Sequence, residues 1–201
     1  MLPWIFLALA AAAGATATPP SAAAAAREQL GQCGPAEATL SELPDTAWVS
    51  SPGAMQDHRL LRQALGEAMP IASTMILVHA HGGDLASTEF SIIVTRGDDG
   101  AWHGTAVGRT QIWIPDTPPT ILPRKAWTLS AESGRRLDAI LDDRCLYAEP
   151  GDFHGKDAPA VGALGYQVDI VTPSRSRAAF FYGGEALGLT REVVSLSEPP
   201  E

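Results

Sequence analysis

The sequence predicts an α+β fold: an antiparallel sheet of about five strands, a three-strand meander plus a C-terminal hairpin, covered on one face by two to three helices. Three observations point there. Residues 90–95 (FSIIVT) and 102–113 are β-rich runs around Gly97-Asp98-Asp99-Gly100, a turn cluster suited to a hairpin. An apolar run at 73–81 precedes them, and a second pair of runs, 166–171 and 178–182, follows much later. The helical stretches lie between these blocks instead of alternating strand by strand, and no repeat at solenoid periods occurs.

Taken in order, the chain of 201 residues opens on MLPWIFLALAAAA, an apolar run short for a membrane span and followed by small residues. Ala15-Thr16-Ala17 matches an A-x-A cleavage site, so residues 1–17 read as a signal peptide, with an alternative end at Ala26. No Lys or Arg precedes Arg27, a departure from the usual basic start. The expectation is export to the periplasm or beyond, with no transmembrane helix after leader removal. Residues 18–47 read as an Ala/Pro-rich arm without a helical period, and 48–198 as a single domain. The two cysteines, Cys33 and Cys145, fit one disulfide in an oxidising compartment. A bridge closing so long a loop contributes on the order of 4–5 kcal/mol in the chain-entropy model.

The first helix of the domain is expected to start at Ser51 as N-cap, with Pro52 in the first helical position. Leu61, Leu65 and Met69 form its apolar stripe, widened by Leu60, and Pro70 ends it. Asp57, His58, Arg59, Arg62 and Glu67 then fall on a solvated face. The strand at 73–81 stops at Gly82-Gly83-Asp84. In the hairpin, Trp102, Gly104, Ala106 and Gly108 share one face, while His103, Thr105 and Val107 share the other. The proline-rich stretch 115–123 is barred from a central ladder. A second helix over 130–144 is N-capped by Ser130 and buries Leu137, Ile140 and Leu141. Gly134 weakens it by roughly 1 kcal/mol, and Trp127 packs beneath it. Residues 151–165 form a loop, 173–177 turn the last hairpin, and 190–196 make a short final helix with Leu189, Val193 and Leu196 as its face.

Composition narrows function. A hydrophobic content of 45% supports a core, and a net charge of −9 argues against nucleic acid or an anionic membrane as partner. The chain lacks a G-x-S-x-G elbow, a Walker lysine and Rossmann glycine spacing. Asp98-Asp99 belongs to a turn, and Asp142-Asp143 to the solvent side of a helix. His79-Ala80-His81 places two imidazoles on one strand face, where they can share a metal. His103 is the best third ligand and His154 the next. The run 76–82 resembles the strand-to-loop entry of metallo-β-lactamase-type hydrolases, in which HxHxDH follows a hydrophobic strand. Gly83 and Asp84 stand where that pattern has Asp and His. The resemblance implies a small zinc-dependent hydrolase, which is the alternative expectation. The preferred one is a non-enzymatic binding or accessory module of the cell envelope, needing no cofactor. Its partner is then an envelope protein or component, met through Trp102, Trp113 and Arg109, residue types that anchor interfaces.

Overall fold

The computed structural model describes residues 21–33, 43–48, 51–153, 161–182 and 188–200. The expected signal peptide and His154 lie outside the described residues. The α+β class holds: among the described residues, four α-helices accompany one antiparallel sheet of seven strands, two more than expected. The strands are β1 (Met75–Gly82), β2 (Ala86–Arg96), β3 (Trp102–Ile112), β4 (Thr120–Ile121), β5 (Lys125–Thr128), β6 (Gly165–Val171) and β7 (Ser176–Tyr182). Their order is β4-β3-β2-β1-β6-β7, with β5 also on β3. The meander and the C-terminal hairpin therefore join through β1 and β6. The two additional strands are short, exposed and next to prolines, so they show no alternation in the sequence. They exist because the outer edge of β3 offers unpaired backbone groups.

The central turn forms as expected. Gly97 N–H bonds to Ala101 C=O, the Asp99 carboxylate accepts from Ala101 N–H, and Gly100 takes the left-handed conformation at φ 79°. Neither Asp98 nor Asp99 does so.

The helices are α1 (Ala22–Gly31), α2 (Met55–Ala64), α3 (Ala131–Asp142) and α4 (Gly188–Ser197). They occupy both faces of the sheet, not one. On the first face, Ile76, Val78, Ile92, Val94, Trp102, Val168, Ile170 and Phe181 form one core with Leu30 of α1, Leu137 and Ile140 of α3, and Val193 of α4. Tyr166 stacks on Phe181 there, with ring centroids 5.1 Å apart. Ser130 caps α3 by accepting from Ser133 N–H, as its position predicted. Gly134 is explained by packing, since a Cβ there would stand 3.2 Å from the Trp102 ring. Trp127 lies across Gly104 of β3, where any side chain would collide with the indole.

The expected arm is partly built into this core. Ser21 caps α1, Ala23 and Leu30 are buried, and Arg27 stacks over Trp48 at 5.2 Å. Its small alanines leave no contrast between faces for sequence periodicity to detect. The Cys33–Cys145 disulfide ties the end of α1 to the segment after α3, across 112 residues. The N-terminus of α4 is capped by the buried Glu149 carboxylate, which accepts from Leu189 N–H, Thr190 N–H and the Thr190 hydroxyl. Among the described residues, no helix is long and apolar enough to cross a membrane.

Candidate functional site

Of the described helices, only α2 lies on the second face, and it departs most from expectation. The helix starts at Met55, with Ala54 at the cap position and no side-chain cap, so Ser51 and Pro52 precede it instead of opening it. It buries His58, Leu61 and Arg62, which lie three and four residues apart on one face. Leu60 is exposed. His58 and Arg62, assigned by sequence to solvent, are therefore the residues pressed against the sheet. The sheet supplies what makes this possible: Ser91, the one hydroxyl within the run Phe90-Ser91-Ile92-Ile93, points at the helix. Ser91 Oγ lies 2.7 Å from His58 Nδ1 and accepts from Arg62 Nε at 2.9 Å. Arg62 Nη2 also donates to Thr105 C=O and Oγ1 at 3.1 and 3.2 Å. At the other end, Asp169 in the middle of β6 accepts from Ala54 N–H at 2.8 Å.

Burial governs the electrostatics of this layer. It lowers the His58 pKa to about 3, helped by the charges of His79 and Arg62, so the ring is neutral at physiological pH. Burial also brings Arg62 down to about 10, which leaves it cationic. The Asp169 carboxyl is pushed up by burial, against the pull of the Ala54 N–H. The Ser91–His58 pair resembles part of a nucleophilic set, but Ser91 is fully buried beneath α2 and its oxygen is held by Arg62. It is a tether.

His79 is paired with Ser91 across the ladder and faces the same helix, its ring 5.4 Å from His58. Its Nε2 donates to Glu89 Oε1 at 3.3 Å, and Glu89 Oε2 accepts from Arg109 Nε and Nη2 at 2.9 and 2.7 Å. Arg109 is thus committed to an intramolecular ion pair. His81 follows on the same face and is exposed at the end of β1. His103 pairs with Thr95, four residues along β2 from Ser91, and bonds to Thr128 Oγ1. That puts it about 13 Å along the strands and two strands away from His79. Among the described residues, no group of three His, Cys, Asp or Glu side chains is arranged to hold a metal ion.

The two tryptophans expected at an interface part company. Trp102 is only 1% exposed, sits in the core of the first face and donates from Nε1 to Asp138. Trp113 is 68% exposed just past the opposite end of β3. It stands in an apolar tip with Leu85, Ile112 and Ile114, closed by Trp113 N–H to Leu85 C=O. A turn fixes the tip: Thr117 N–H bonds to Ile114 C=O, and the Gln111 amide donates to Thr117 C=O at 2.7 Å. Asp116, inside that turn, is the sole non-glycine residue with positive φ among those described. Such a conformation is uncommon for a residue bearing a side chain.

Sequence reading missed Ser91, Asp169 and Gln167. The available signal was Ser91 within Phe90 to Val94, and Gln167 and Asp169 alternating with apolar residues in the run 166–171, all on the face later taken by α2. No family model, no curated protein and no solved structure matches this chain.

Proposed function

We propose that the protein is an exported, non-enzymatic binding module of the cell envelope, and that the Trp113 tip is its contact surface. The observation that carries this reading is the tip itself: four adjoining large apolar side chains exposed at one end of the β2–β3 hairpin. Contiguous apolar exposure is costly in water and marks interaction sites. The turn at 114–117 presents Trp113 in one geometry, which reduces the ordering cost of association. The charged residues nearest in the two strand ends, Asp84 and Asp116, are both acidic. The complementary partner is a protein with an apolar pocket for an indole and a basic rim. Export is supported by the Cys33–Cys145 bridge.

The test is affinity capture of the tagged protein from its own envelope extract. A stoichiometric protein partner, retained by Leu60→Ala on α2 and lost by Trp113→Ala, is the expected result. Equal capture by the Trp113→Ala variant overturns the assignment of the tip.

A further inference from the structure

A cleft of about 500 Å³ opens on the second face, between the start of α2 and the adjoining ends of β1, β6 and β7. Its origin lies in strand register. One row across the three strands is His79, Gln167 and Phe180; the next is His81, Gly165 and Tyr182. All six positions share a face, because directly opposed residues point the same way. Gly165 contributes no side chain to the middle of its row, and a Cβ there would sit 3.0 Å from the tip of the Phe180 ring. The gap is therefore floored by glycine and walled by the Phe180 and Tyr182 rings, which meet edge to face at 5.2 Å. Asp57, in the first turn of α2, lines the opposite wall.

The polar groups in this cleft are incompletely used. Gln167 accepts from the Ser51 hydroxyl at Oε1, while its Nε2 is buried with no hydrogen-bond partner. A buried amide left unpaired is costly, and because the Gln167 side chain is only part-buried, a rotamer change that turns this amide into the cleft lets an occupant relieve that cost. Among the described residues, no Lys or Arg lines the space, whereas Asp57 does and Asp169 lies beneath its rim. An anion is repelled by those carboxylates. A purely apolar ligand leaves the Gln167 amide unsatisfied, and a simple cation gives that amide no acceptor. Hydroxyl groups serve both, because each can accept from the amide and donate to a carboxylate or imidazole. A ring with hydroxyls at its edge and C–H groups on its face also packs against Phe180 and Tyr182. The volume falls within the range of small-molecule sites.

We infer that this cleft binds a neutral, polyhydroxylated ring: a monosaccharide or the end of an oligosaccharide. The site is separate from the Trp113 tip and does not depend on it. The experiment is a titration of the full chain, followed by amide NMR, with glucose, galactose, mannose, N-acetylglucosamine and their β-linked dimers. Inorganic phosphate and tetramethylammonium serve as anionic and cationic probes. The expected result is saturable shifts at Gly165, His79 and the Gln167 side-chain amide with at least one sugar. Affinity then falls about tenfold or more in Gln167→Leu and in Asp57→Asn, the scale of one lost hydrogen bond to a buried or charged group. Asp57 is exposed on the helix, so its variant keeps the test valid should Gln167→Leu fail to fold. No shift with any sugar, unchanged affinity in Asp57→Asn, or preferential occupation by phosphate or tetramethylammonium overturns the inference.

Discussion

The two faces of the sheet are built on opposite principles. The first is covered by α1, α3 and α4 and held mainly by apolar area, with Trp102, Phe181, Leu137 and Val193 closing one continuous core and the buried Glu149–Thr190–Arg177 cluster as its polar exception. The second is covered by the ten residues of α2 and held at named atoms: Ser91 to His58 and Arg62, Thr105 to Arg62, and Asp169 to Ala54. Apolar contact is non-directional, so the first face tolerates small adjustments. The second does not, because removing one partner strands the other in a dry environment. The same arrangement that leaves α2 few apolar contacts leaves a cleft beside it.

The comparison can be broken hardest from the first face. Trp102→Ala removes the largest fully buried side chain among the described residues and the Asp138 hydrogen bond. It is expected to cost about 3–5 kcal/mol in urea unfolding. A loss below about 1 kcal/mol would show that α3 does not depend on this core. On the second face, Ser91→Ala deletes only one oxygen but leaves Arg62 Nε and His58 Nδ1 without their partner. A loss of about 2–3 kcal/mol is expected, against a few tenths for a solvent-exposed serine such as Ser174.

A pH series sharpens the contrast further. With a folded pKa of about 3 against an ordinary 6.5, His58 takes up a proton on unfolding at any pH between those values. Its contribution to stability is therefore level above pH 6.5. Below that it falls by about 1.4 kcal/mol per pH unit, down to about pH 3. The raised carboxyls of Asp169 and Glu149 act in the opposite direction, favouring the fold at acid pH. The decisive quantity is the difference between the wild type and His58→Gln. The variant should lose the decline attributable to His58, and parallel curves from pH 7 to 5 would place the acid sensitivity elsewhere. The smallest effect belongs to the tip: Trp113→Ala should change stability by less than about 0.5 kcal/mol while removing partner capture.

Legibility followed the same division. The first face was readable because Met75 to Val78 and Ile92 to Val94 are continuous apolar runs that demand burial, and because Leu137, Ile140 and Leu141 recur at helical spacing. The Ser130 cap and the Cys33–Cys145 pairing were readable from residue type and position. The helix at 55–64 was readable as a helix, but its orientation was not. A polar stripe of His58 and Arg62 looks solvated until Ser91 and Thr105 are brought against it from 29 and 43 residues beyond Arg62. The same applies to the tryptophans, which look equivalent in sequence. Only their positions at opposite ends of β3 separate Trp102, beneath α3, from Trp113, beyond the last ladder pair.

By itself, the sequence determined the α+β class, the central hairpin, three of the four described helices and the disulfide. Each depends on periodicity, on turn and capping chemistry, or on the presence of just two cysteines, all properties of short stretches of chain. Tertiary structure alone decided that α2 covers the second face, that residues 22–31 fold onto the body, and that His103 stands apart from His79. It also decided that Gly165 opens a cleft beside Gln167. These outcomes depend on which distant residues meet across strand register, and a pairing between β1, β2 and β6 leaves no mark within any one of them.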